Sequence, residues 1–143
     1  MRAELVIQRL ISGAASVTAL IGVAPAVRLY PGRIPQNTAS PMVAYELVSG
    51  TEILPITANA GGTLIKSRVQ VTVMAKTFFD VKTVHEEIRK AVLFQSGSFV
   101  FTSPAVTVRV IGIVRDLIGP DTRDDDLGLY MQHVDYQVIH DEV

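Results

Sequence analysis

The stretch from Arg68 to Lys76 alternates without a break: Val69, Val71, Val73 and Ala75 against Arg68, Gln70, Thr72, Met74 and Lys76. Successive side chains of a β-strand point to opposite faces, so this period puts a fully apolar face and a mixed face on one strand. A strand with an apolar face needs neighbours beside it and a layer over it. The chain is therefore built on a sheet with at least one covered side.

Other segments read as partners for that strand. Val43, Tyr45 and Leu47 alternate with Ala44, Glu46 and Val48. Two further strands are expected near Val106 to Val114 and Leu127 to His140, the last alternating Met131, His133, Asp135, Gln137 against Tyr130, Val134, Tyr136, Val138. Pro25 to Pro41 holds four prolines, Gly32 and Asn37, and reads as an extended connection containing a brief strand at Arg28 to Tyr30. Thr51 to Gly62, with Pro55, Asn59 and Gly61-Gly62, reads as a long hairpin loop available for docking.

Helical spacing appears twice. Leu5, Val6, Leu10 and Ile11 repeat at helical period behind Glu4 until Gly13; Ser16 is the expected N-cap of a short helix ending at Gly22. Asp80 is the expected N-cap of a helix over Val81 to Gln95, with Val81, Val84, Ile88, Ala91 and Val92 on one face. Lys82, Glu86, Glu87, Arg89 and Lys90 fill the rest, and Glu86 and Lys90 form an i,i+4 pair worth about 0.3–0.5 kcal/mol. The order helix, strands, helix, strands predicts an α+β fold. Its antiparallel sheet carries the N-terminal helix and the central amphipathic helix on one face, in one domain over residues 1–143.

Composition narrows the function classes. Of 143 residues, 48% are apolar and 19% charged, below the roughly 25% usual for soluble domains. With a mean hydropathy of +0.33 this excludes intrinsic disorder and suggests that part of the surface is covered by a partner. Thirteen basic against fourteen acidic residues give a net charge of −1, which is no footprint of a sequence-specific nucleic-acid binder. There is no cysteine, hence no disulfide or thiol nucleophile. The longest apolar run, Ala19 to Val27, is broken by Gly22 and Pro25 and is too short for a membrane span of about 20 residues. Glu4, Gln8 and Arg9 argue against a signal peptide.

No catalytic constellation stands out. His133 and Asp135 share a strand face and could form half of a metal site or a base with its orienter, but they also read simply as the wetter side of that strand. His85 sits beside the helix's apolar stripe and His140 near the chain's end, neither with a ligand-spaced partner. Asp121 and the run Asp124, Asp125, Asp126 lack the alternating carboxylates and closing Glu of a calcium loop. They read as a solvated turn, or as an interface loop balanced by Arg115 and Arg123. Gly61-Gly62 has no phosphate-loop context, and no Ser lies in a nucleophile elbow. No enzyme activity, metal or cofactor is expected.

The succession Arg28-Leu29-Tyr30-Pro31-Gly32, Ile34-Pro35-Gln36, and Pro41-Met42-Val43-Ala44-Tyr45-Glu46 resembles the tail-completion, or tail-to-head joining, proteins of tailed phages. The resemblance continues through Arg68 to Thr77 and the following helix, resumes at Val114-Arg115-Asp116, and closes with Asp135-Tyr136-Gln137-Val138. It implies an α+β subunit of a homo-oligomeric ring, most often a hexamer. That ring would cap the tail tube protein and meet the head-tail connector in the virion, after assembly in the host cytoplasm. On this reading the interface residues are Arg33, Gln36, Thr51, Glu52, Asn59, Arg115, Asp116, Arg123, Asp124, Asp125 and Asp126. The alternative, a small α+β ligand-binding domain or enzyme, would need a pocket with convergent polar groups, for which the sequence offers only His133 and Asp135.

Overall fold

The alternating segment sits inside a long central strand. The computed structural model describes residues 2–22, 26–53 and 63–142. In chain order these form α1 (Arg2–Ser12), α2 (Ala15–Ile21), β1 (Leu29–Pro31), β2 (Met42–Ile53) and β3 (Thr63–Ala75). There follow α3 (Phe78–Val92), β4 (Gly97–Thr102), β5 (Ala105–Ile118), β6 (Thr122–Asp124) and β7 (Leu129–Glu142). The strands make one sheet in the order β1-β2-β3-β7-β5-β4, with β6 pairing the start of β7. The fold is α+β as expected.

The sheet is not purely antiparallel, however. β1 runs parallel to β2, pairing Leu29 with Val43 and Pro31 with Tyr45. A short strand arriving after a helical connection lands at the edge in whatever direction its connection allows, and no local residue pattern encodes that. β4 was not legible either: Gly97–Thr102 carries too little alternation to separate it from a loop, and its pairing with β5 defines it. β2, β5 and β7 run longer than their apolar patterns, because ladder bonds extend strands past the buried residues.

The helices cover one face of the sheet. Val69, Val71, Val73 and Ala75 are wholly buried there, with Val43, Val134 and Tyr136 beside them in register and Val138 opposite Ser67. Ala3, Val6, Ile7 and Ile11 of α1 close over them, as do Val81, Val84, Ile88 and Val92 of α3. Each Val or Ile so buried contributes about 1.5–3 kcal/mol. α2 turns away from α1 by 84°, at Gly13.

Both expected caps are displaced. Thr77, not Asp80, is the N-cap of α3; its side chain accepts from the Asp80 backbone N at 3.2 Å, which leaves Asp80 in the first turn. α2 begins one residue ahead of Ser16, with Ala14 in the cap position and no side-chain bond. α3 ends at Val92 rather than Gln95. Its surface pairs are Glu86–Arg89 and Glu87–Lys90, at i,i+3 spacing, in place of Glu86–Lys90.

α3 is tied to β7 through one polar residue. His85 Nε2 donates to the Gln132 carbonyl at 2.9 Å. The Gln132 side chain accepts from Lys82 Nζ at 3.0 Å and donates to the Gly119 carbonyl at 2.9 Å. Burial pushes the His85 imidazole from 6.5 down to about 4, against the opposing effect of its bond to Gln132; Lys82, His133 and Arg115 lower it further.

Two measurements check this layer. Between pH 6.5 and about 4 the unfolded chain takes up a proton that folded His85 refuses, so stability falls as pH falls through that window. The loss is on the order of 3 kcal/mol, and denaturant titrations of His85→Gln across the same range should show a shallower decline. Thr77→Ala should cost about 1 kcal/mol by loss of the cap bond, whereas Asp80→Asn should cost less.

Candidate functional site

Among the described residues the opposite face of the sheet carries no helix, and its side chains fall in cross-strand rows. Met42, Met74 and Met131 form one row across β2, β3 and β7. Ala44, Thr72 and His133 form the next, then Glu46, Gln70 and Asp135. The connection from β1 to β2 folds over the first two rows from one side, and the β6–β7 turn approaches from the other. Between them lies an open groove of about 760 Å³, floored by the three methionines and walled by Arg33, Gln36, Leu127 and Leu129. Unbranched methionine side chains make such a floor adaptable to partners of different shape.

Polar groups on this face are largely committed to each other. Thr72 Oγ1 and His133 Nδ1 share a hydrogen bond of 2.6 Å. Asp135 is buried, not wet as its place in the alternation suggested, lying in register between Gln70 and Leu117. Arg68 Nε stands 3.8 Å from Asp135 Oδ2, and its guanidinium also binds Asp116. Asp135 Oδ1 has no hydrogen-bond partner among the described residues. His133 and Asp135 do share the face, yet each answers to a different neighbour, Thr72 and Arg68, rather than to a common ligand position. Among the described residues no three His, Asp or Glu side chains gather as a metal site.

The other histidines are structural. His140 Nδ1 donates to the Asp141 carbonyl at 3.0 Å, so Nε2 accepts from the Ser67 hydroxyl at 2.9 Å under α1. Tyr136, also on the helix side, has its phenol pushed up to about 12 by burial.

The expected interface residues do not form one cluster. Arg33 and Gln36 are exposed on the groove's first wall. Arg123 and Asp124 belong to β6, while Asp125 and Asp126 lie in the turn that leads to Leu127 of the second wall. Asp124 is a turn-former: its Oδ1 accepts from the backbone N of Asp126 at 3.0 Å and of Leu127 at 3.2 Å. Arg123 pairs with Asp125 at 3.5 Å. Asp121 is bound by Lys82 at 2.5 Å.

Arg115 and Asp116 are not in a connecting loop, since β5 continues to Ile118. A bulge at Asp116 aims its carboxylate at Arg68. Thr51 and Glu52 belong to β2 rather than to a loop, and Asn59 with the rest of residues 54–62 lies outside the described residues. Thr51 lines a small polar recess with Lys66, Arg68 and Gln137 on the open face. Glu52 faces the helix side, in a notch of about 470 Å³ beside Arg2 and His140. Sequence reading missed the methionine row and the exposed aliphatic tail of β5, Val114, Leu117 and Ile118. The alternation already held the first; the second needed the strand's true end.

No family model matches the sequence, and no curated protein matches it. Among solved structures, a chain in the virion of a native gene transfer agent particle is similar in fold, with a TM-score of 0.63 and 14% identity. The alignment covers 95% of this chain and 92% of that one.

Removing Arg68 leaves the buried Asp135 carboxylate without its nearest cation. Arg68→Ala should cost about 1–3 kcal/mol, and adding Asp135→Asn should restore part of that loss in a double-mutant cycle read by chemical denaturation.

Proposed function

We propose that this protein is a structural component of a phage-like virion, and specifically a tail-completion subunit. It forms a homo-oligomeric ring, a hexamer, that caps the tail tube and presents its other side to the head connector. The observation that carries the reading is the fold likeness, over nearly the whole length of both chains, to a chain in a gene transfer agent virion. The sequence blocks around Arg28–Gly32, Pro41–Glu46 and Arg68–Thr77 support the tail-completion assignment separately from that likeness.

The surface suits an assembly role. Val114, Leu117 and Ile118 of one strand, together with Leu127 and Phe79, are aliphatic or aromatic and exposed. Such patches mark protein contacts when they are contiguous. A head-to-tail contact that closes into a ring leaves two unlike faces for two unlike partners. Arg33 lines one groove wall, and the exposed carboxylates of Asp125 and Asp126 lie in the turn just before Leu127 of the other wall, so charges of both signs stand near the groove. Exposed charges of this kind set register and encounter rate more than affinity.

Native mass spectrometry of the purified chain, alone and with tail tube protein, tests the reading. A six-subunit ring is expected; a monomer under both conditions would overturn it. Asp125→Asn with Asp126→Asn, which spares the turn-forming Asp124, should leave the melting temperature within about 1–2 °C, since surface changes of this kind stay within roughly 0.5 kcal/mol. The pair should slow joining of tails to heads at low salt, and high salt should slow the unaltered protein likewise.

A further inference from the structure

We infer that one copy of this chain adds the outer edge of its β2 to the outer edge of β5 in the next copy, so that a continuous sheet runs through the subunit contact. The inference rests on the ring reading above and specifies how that ring closes.

Next to the two ends of the sheet, β2 and β5 are each only half covered on their outer side. β1 pairs with β2 over Leu29–Pro31 and Val43–Tyr45 alone, and β4 pairs with β5 only as far as Val110. Beyond those limits, residues 46–53 and 111–118 present an outer edge with no strand partner among the described residues. One bond, from Phe94 N to the Ile113 carbonyl at 2.9 Å, touches the second edge. An open edge of this length is a template for another strand.

Backbone parity identifies the outward groups. Val43 N donates to Arg28 O at 3.0 Å, and Tyr45 O accepts from Gly32 N at 2.8 Å, both away from β3. Leu47, two residues on, keeps that direction. The Ile113 carbonyl faces Phe94 on the outer side, so Arg115 faces outward as well.

Three features fit these edges to each other. First, they lie level: one cross-strand row runs Glu46, Gln70, Asp135, Leu117, and another runs Thr51, Lys66, Ile139, Gly112. Second, their directions suit. β2, β3, β7 and β5 are successively antiparallel, so β5 runs opposite to β2. A copy rotated about an axis along the strands therefore brings its β5 antiparallel to β2, as in the rest of the main sheet.

Third, the side chains complement. Leu47 and Val48 are exposed on one edge, and Val114, Leu117 and Ile118 on the other. The β2 stretch carries Glu46 and Glu52 with no basic residue. On the β5 stretch Asp116 is held by Arg68, which leaves Arg115 as its outstanding charge. Bulges at Val48 and Asp116 interrupt both edges and disfavour pairing with unrelated regular strands.

Proline tests the contact, because an outward N–H on an edge strand can be removed without breaking an internal ladder bond. Leu47→Pro and Arg115→Pro are each expected to give a folded monomer by circular dichroism and sedimentation velocity, under conditions where the unaltered chain forms rings. Each variant keeps one good edge, so an equimolar mixture of the two should yield a one-to-one dimer and nothing larger. Hydrogen exchange on the unaltered ring gives a reading independent of any variant's folding: amides at Leu47 and Arg115 should exchange at least tenfold more slowly in the ring than in dilute monomer. Rings that persist in both proline variants, or equal exchange in ring and monomer, would overturn the edge contact while leaving the ring intact. An unaltered chain that stays monomeric at every concentration would remove the ring reading itself.

Discussion

The ladder between β3 and β7 is the constraint on which the rest depends. It runs the length of both strands, from Thr63 against Glu142 to Ala75 against Tyr130, with no register shift. Because side chains alternate with period two, that single register decides two surfaces at once. It sets Val69, Val71 and Val73 beside Tyr136, Val134 and Gln132 under the helices. It also sets Gln70, Thr72 and Met74 beside Asp135, His133 and Met131 on the open face. A slip of one residue would exchange core and surface along both strands.

The strands flanking this ladder are less regular, and the irregularities sit where the surface is specialised. β2 slips at Val48, and β5 slips at Ile111 and again at Asp116. The last of these turns a carboxylate toward Arg68, so that one guanidinium serves both Asp116 and the buried Asp135. A charge at 4% exposure is costly unless paired, and the bulge helps to fix its partner.

Polar ties do the remaining positioning. Gln132 links α3, the chain before β6, and β7 through three hydrogen bonds. His140 and Ser67 hold the far end of the sheet under α1. These bonds lie between residues distant in sequence, so their value appears only once the helices are docked. They lie on the helix-covered face of the sheet, away from the groove with its methionine floor.

The sequence by itself determined the α+β class, the strand at Arg68–Lys76, the helix after it and the covered face. Each of these rests on periodicity, which local chemistry writes directly into the chain. It also made the shared face of His133 and Asp135 legible. What it left open was decided by pairing between distant segments: the parallel β1, the existence of β4 and the true end of β5. Asp135 shows the difference most clearly. Alternation placed it on the open side, but only the approach of Arg68 and the neighbouring Leu117 made it a buried, paired carboxylate instead of a wet one. Burial is a property of what lies across the sheet, and no period within a strand encodes its neighbours.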